Sequence, residues 1–159
     1  MGERTRNPFT ASALGGRALS AVQLPLFLLR PPDGYGVLTT VGRRTGKTRR
    51  RCIRAVRRGD QVYLVAIKGS RTGWAHNALA GPPVRLRLRG GTFSGRAREP
   101  GDAATRERAR EAYCDTVTPF DHLTWMNWRR GRPTAAGIRE LLCGWFDTGT
   151  PIVVELDDR

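Results

Sequence analysis

The residues best placed to do chemistry stand between Val41 and Arg51. There VGRRTGKTRRR sets Gly42 and Gly46 around Arg43, Arg44 and Thr45, then adds Lys47, Arg49, Arg50 and Arg51. Two glycines let a turn aim backbone N–H groups at one point, and guanidinium forks beside it hold phosphate or carboxylate through paired, charge-assisted hydrogen bonds. The run approaches the G-x-x-x-x-G-K-[ST] loop of nucleotide hydrolases. Five residues before Gly46, however, stands Val41 and not glycine, and Thr48 to Val56 is basic and β-branched where that loop must open a helix. A nucleotide hydrolase is therefore disfavoured. On these residues alone, an anion-binding turn and a solvated basic hairpin both stay open.

Such a turn needs elements to hold it. Val37–Val41 (VLTTV) follows the Pro31-Pro-Asp-Gly34 punctuation and reads as a first strand, so the basic turn leaves a strand. Cys52–Val56 and Gln61–Ile67 read as two more strands around a short loop, Arg57 to Asp60. In VRLRLR, Val84, Leu86 and Leu88 share one face and three arginines the other, and Gly90-Gly91 allows a tight turn into Thr92–Arg98. From Asp102, a capping residue, the chain turns helical, with Glu107 and Glu111 facing Arg106 and Arg110 as a surface ladder. After Thr134 the positions Ile138, Leu141, Leu142 and Trp145 form one stripe of an amphipathic helix, and Ile152–Leu156 closes the chain as a strand.

Five or six short strands joined mostly by hairpins, with late helices and no βαβ rhythm, predict an α+β, mainly β protein: a small antiparallel barrel of about six strands with flanking helices. At 159 residues one domain is expected, with residues 1–20 as a flexible arm, 21–159 as the domain and helices over about 102–146.

Lys+Arg 28 against Asp+Glu 14 gives a net charge of +14, a field that attracts any polyanion, be it nucleic acid, anionic lipid or a small molecule. Cys52, Cys114 and Cys143 are widely spaced, with no CxxC pair and no histidine cluster, which argues against a zinc site or a disulfide framework. The most apolar run, Val22 to Leu29, is too short to span a bilayer and lacks a signal-peptidase site, so a cytoplasmic protein is expected. Pro25 and the lack of a clear moment favour packing of the segment from Ser20 to Arg30 against the barrel; the alternative is a short amphipathic element that rests on anionic lipid, giving peripheral membrane contact.

Three stretches, LTTVGRRTGKTRRR, VYLVAIKGS and GWAHNALAGPPVRLRLRGG, in that order and spacing, resemble the deazaflavin-dependent nitroreductases and related F420H2-dependent oxidoreductases. The resemblance implies a split β-barrel like that of FMN-binding flavoproteins, coenzyme F420 ahead of FMN, and hydride transfer to a small planar acceptor such as a quinone, enone or nitroaromatic. It also implies that Arg43, Arg44, Thr45, Gly46, Lys47 and Arg49 receive the phosphate and glutamyl tail, that Lys68 and Gly69 approach the ring, and that Trp74 and Asn77 complete the cofactor site. A homodimer is compatible with it.

For the proton that must follow hydride, His122, Asp121 and Tyr113 are the candidates, with Phe120, Trp125 and Trp128 as an aromatic wall. The tyrosine-rich substrate segment of the nitroimidazole-reducing relatives is replaced here by Thr118 to Trp125 (TPFDHLTW), which speaks against that drug class. A basic barrel that binds nucleic acid is the competing reading, weakened by the lack of regularly placed base-stacking aromatics. An F420 carrier without turnover is the third.

Overall fold

A computed structural model describes residues 22–69, 72–129 and 131–158; the N-terminal arm expected over 1–20 lies outside them. A helix over 22–29 (α1) leads into β1 (Tyr35–Val41), β2 (Thr48–Arg54), β3 (Val56–Arg58) and β4 (Gln61–Ala66). Then come α2 (Gly73–Leu79), the hairpin β5 (Val84–Leu88) and β6 (Gly91–Arg98), helices α3 (Ala103–Asp115), α4 (Pro119–Trp128) and α5 (Ala135–Thr148), and β7 (Thr150–Leu156).

All strand pairs are antiparallel, in the order β2-β1-β5-β6-β7-β4-β3. The two outermost strands, β2 and β3, are joined through Ala55 alone, whose N–H donates to the Gly34 carbonyl at 2.8 Å. A one-residue link between opposite edges can exist only if the sheet curls until those edges approach, which yields the curled half-barrel. This is also why seven strands occur where about six are expected: the run expected as Cys52–Val56 breaks at Ala55, and its halves serve opposite edges.

The period-two rule sorts the core into an inside and an outside. Leu38, Val62, Leu64, Val84, Leu86, Ile152 and Val154 fill the barrel interior, capped by Ala75 and Ala78 of α2. Their neighbours Tyr63, Val65 and Val153 face outward, onto Tyr113 of α3 and Ile138, Leu142 and Phe146 of α5. On the remaining outer face, Phe27 of α1 covers Tyr35 and Val37.

The capping residues act as read: Asp102 Oδ1 accepts the Thr105 N–H at 2.8 Å, and Thr134 Oγ1 accepts that of Gly137 at 3.1 Å. The surface ladder on α3 is corrected. Arg110 reaches across to Asp147 of α5, and Arg106 lies over the Phe146 ring at 5.4 Å, so both arginines fasten two helices together.

Candidate functional site

The basic turn is closed by its own backbone. Gly42 N–H donates to the Lys47 carbonyl at 2.8 Å, and Gly46 N–H to the Gly42 carbonyl at 2.7 Å. Gly46 has φ +66°, a conformation that disfavours a Cβ. A Cβ on Gly42 would stand 3.0 Å from Thr45 Oγ1 and 3.2 Å from the Lys47 carbonyl, so the turn closes this tightly only around glycine. The Arg43 N–H donates to Asn77 Oδ1 at 3.4 Å, which ties the turn to α2. Asn77 thus spends the carbonyl half of its amide on the protein, and only its NH2 half can serve a guest.

Beyond the turn, β2 is an edge strand of seven residues, about 20 Å of extended chain. It forms one long wall of a groove of about 1210 Å³. Arg43, Arg44 and Thr45 of the turn and Arg49, Arg50 and Arg51 of β2 line it, together with Ile67 and Lys68 beyond β4 and with Thr72, Trp74 and Asn77 around α2. Tyr35, Arg54, Tyr113, Thr124, Trp128 and Trp145 line it as well, Arg54 being the last residue of β2 and so farthest along that wall from the turn. The turn near position 44 and the strand end at position 68, expected to converge, border this one groove.

Three of the expected contact residues shape the site without lining it. Gly46 and Lys47 close the turn. Gly69, with φ +84°, donates its N–H to the Ala66 carbonyl at 2.9 Å and accepts from Thr72 N–H at 3.1 Å and Thr72 Oγ1 at 2.8 Å, coupling the strand end to α2. Of the aromatic wall only Trp128 borders the groove. Phe120 packs on Phe27 and Tyr35, with ring centroids 5.4 and 4.6 Å away, and Trp125 packs under α5, beside Gly137.

Of the three proton-donor candidates, Tyr113 alone lines the groove. Asp121 is buried at 2% exposure and does not line the groove. Its carboxylate accepts Arg54 Nε at 3.0 Å, Arg54 Nη2 at 3.3 Å, Tyr35 Oη at 2.6 Å, and the Thr118 N–H and Oγ1 at 2.7 and 3.0 Å. Burial alone would raise its pKa, but the Arg54 guanidinium, by hydrogen bond and charge, with Tyr35 and Thr118, outweighs burial and holds it below the usual carboxylate range. Asp121 is therefore an ionised anchor and not an acid.

Tyr113 borders the groove, yet burial pushes its hydroxyl up to about 12. Tyr35 is pushed higher still, by burial and by the Asp121 charge beside it. His122 neighbours Asp121 on α4 but does not line the groove.

Arg54 is the residue that sequence reasoning missed. Its Nη1 donates to the Tyr113 carbonyl at 3.0 Å, its Nη2 to the Thr116 carbonyl, and its guanidinium lies 4.5 Å from the Tyr113 ring centroid. Every guanidinium nitrogen is engaged, which makes Arg54 a structural cation where Arg49 and Arg50 of the same strand are exposed. The available signal was Thr118-Pro-Phe-Asp121, a helix start whose Asp at the third helical position reaches back to the Thr118 N–H.

Among the described residues no group of His, Cys, Asp and Glu could hold a metal ion. What the groove offers is cations along the turn, β2 and Lys68, with aromatic rings such as Trp74 and Trp128 beside them, donors suited to an acidic guest that also carries a flat ring.

Comparison with known structures agrees on the fold. An F420-H2 dependent reductase, FDR-A, superposes with a TM-score of 0.50 at 20% identity, over 77% of this chain and 94% of that one. A chain described as a domain-swapped dimer gives 0.52 at 19% identity, over 85% and 94%. A heme binding protein from Mycobacterium smegmatis gives 0.54 at 14% identity, over 87% of this chain and 52% of its own. A search of curated proteins found no match. The family model described as F420H(2)-dependent quinone reductase matches residues 30–123, and with the split barrel in place the chain belongs to that family of F420-dependent oxidoreductases.

Proposed function

We propose that the protein binds reduced F420 in the groove, with the anionic tail against the turn, and passes hydride to a neutral, planar, unsaturated acceptor, a quinone first among quinones, enones and nitroaromatics. When bound, the coenzyme supplies the hydride and accepts no role as acid. The observation that carries the reading is the single groove bordered both by Arg43, Arg44 and Arg49 and by Lys68 and Trp74. Arg43 and Arg44 grip phosphate and carboxylates, Thr45 adds a hydroxyl, and Arg49 follows the tail along the edge strand. Lys68 and the Trp74 indole border the ring, with the NH2 of Asn77 at its polar edge.

A neutral acceptor suits the end of β2, where the donors of Arg54 are committed to Asp121 and two carbonyls and leave that residue no fork for a carboxylate. The proton comes from water entering the open groove, since Asp121 is held ionised and Tyr113 keeps its proton.

Titration with F420 and with FMN tests the cofactor. Tighter binding of F420 is expected, with Arg43→Glu and Arg44→Glu each weakening it more than tenfold, and a loss below twofold counts against the site. Mixing with reduced F420 and a panel of neutral quinones separates enzyme from carrier, because a carrier binds and leaves the coenzyme absorbance unchanged. The nucleic-acid reading loses ground because Arg87 donates to the Leu28 and Leu29 carbonyls at 3.3 and 3.4 Å and Arg89 pairs with Asp33 at 2.6 Å.

The acceptor's route carries a second element of the proposal. Val22, Leu26 and Leu29 stand exposed at i, i+4 and i+7 on α1, as do Leu123 and Met126 on α4, and these helices meet through Phe27 and Phe120. No described helix is long and apolar enough to cross a membrane. An apolar face that ends at the exposed Arg30 suits contact with the surface of an anionic bilayer. Sedimentation with anionic vesicles that Leu26→Glu abolishes would support it; a dimer that Leu26→Glu splits would assign the face to a second copy.

A further inference from the structure

The dithiol between α3 and α5 has no part in the proposed reaction. These helices are antiparallel and tied at two levels. Arg110 donates from Nε and Nη2 to the two oxygens of Asp147 at 2.9 and 3.1 Å, and Arg139 Nε donates to Asp115 Oδ1 at 2.7 Å. On α3, Cys114 follows Arg110 by one turn; on α5, Cys143 precedes Asp147 by one turn and follows Arg139 by one turn. The register that joins 110 to 147 and 115 to 139 therefore sets Cys114 opposite Cys143. Both thiols are free, and Cys143 packs against the core cluster that contains Cys114. Cys114 is buried at 1% exposure, whereas Cys143 is partly exposed.

We propose that Cys114 and Cys143 are a redox pair that closes to an intramolecular disulfide under peroxide, stapling α3 to α5. The accessible Cys143 sulfur attacks one peroxide oxygen and the O–O bond breaks, giving a sulfenic acid and one water. Cys114 sulfur then attacks the sulfenic sulfur: the S–S bond forms, and the hydroxyl leaves with the Cys114 proton as a second water. Two thiols are oxidised by two electrons and one peroxide is reduced.

Cys143 meets the oxidant first because it is the partly exposed thiol, and Cys114, buried on the facing helix, is left to resolve the intermediate. The ion pairs at each level hold the helices in place while this happens. Tyr113 adjoins Cys114 and Trp145 lies two residues beyond Cys143, and both border the groove, so the staple also fixes that part of its lining.

The test treats the full chain with hydrogen peroxide, alkylates remaining thiols and digests without reductant. Expected is one cross-linked peptide pair, Cys114 with Cys143, lighter by two hydrogens, with Cys52 alkylated. The melting temperature should rise by about 5 °C and return on adding dithiothreitol. Cys143→Ser should lose the rise and Cys52→Ser keep it. The proposal is overturned if both Cys114 and Cys143 are found alkylated after peroxide, if the cross-link joins different chains, or if the rise survives in Cys143→Ser.

Discussion

Arg54 and Asp121 show how one buried pair redirects chemistry. Both side chains are almost inaccessible, at 4% and 1%, and are joined at 3.0 Å. Taking one partner away leaves a charge in a place where water cannot reach it, so Asp121→Asn should cost about 3 kcal/mol, measurable by urea unfolding. Because the folded pKa of Asp121 lies below its unfolded value of about 3.9, its contribution is fully present above roughly pH 4 and is lost as pH falls through the folded value. Stability referable to this pair should therefore be flat from pH 5 to 9 and fall only in strong acid, and in Asp121→Asn the acid-side fall should shrink. The same reasoning applies to turnover: His122→Ala should leave kcat/KM within about twofold, since His122 does not border the groove. A loss of a hundredfold would restore it as the proton donor.

At the scale of elements, the curl depends on places where two backbones meet without a side chain between them. A Cβ on Gly95 would stand 2.3 Å from the Glu155 carbonyl oxygen, where β6 crosses β7. Backbone cannot yield as a flexible side chain can, so Gly95→Ala should destabilise by about 3 kcal/mol and lower Tm by about 8 °C, whereas Gly101→Ala, with nothing within 4 Å, should be neutral. Elements whose cause is local could be read from sequence. The VRLRL alternation put Val84, Leu86 and Leu88 inside, and the stripe from Ile138 to Trp145 buried its α5 face. What escaped was non-local. Asp121 looks like an acid until Arg54, 67 residues away, is brought against it, and Cys52–Val56 looks like one strand until the curl sends its ends to opposite edges. The basic turn was legible because its glycines and cations are contiguous. That it borders the same groove as Lys68 could be known only from the sheet order and the Arg43–Asn77 bond.

Across the whole molecule, a net charge of +14 attracts every polyanion, so charge by itself does not choose between a cofactor and a nucleic acid. Salt and shape can choose. Pairs at an open groove are screened over a Debye length of about 10 Å at 0.1 M salt and about 3 Å at 1 M, so the share of binding that comes from an anionic tail must weaken as salt rises. The share that comes from covering a flat ring with the Trp74 indole and its apolar neighbours must not. Raising salt from about 0.05 to 0.5 M should weaken F420 binding about tenfold and leave a deazaflavin without the phosphate and glutamyl tail within about twofold. Duplex DNA, whose base rings are already stacked within the helix, should fail at the higher salt to displace F420 from the wild type. If instead DNA competes there as it does at low salt, or if the tail-less ring shows the same salt dependence as the whole coenzyme, the arginines of the turn serve a different guest and the groove must be reassigned.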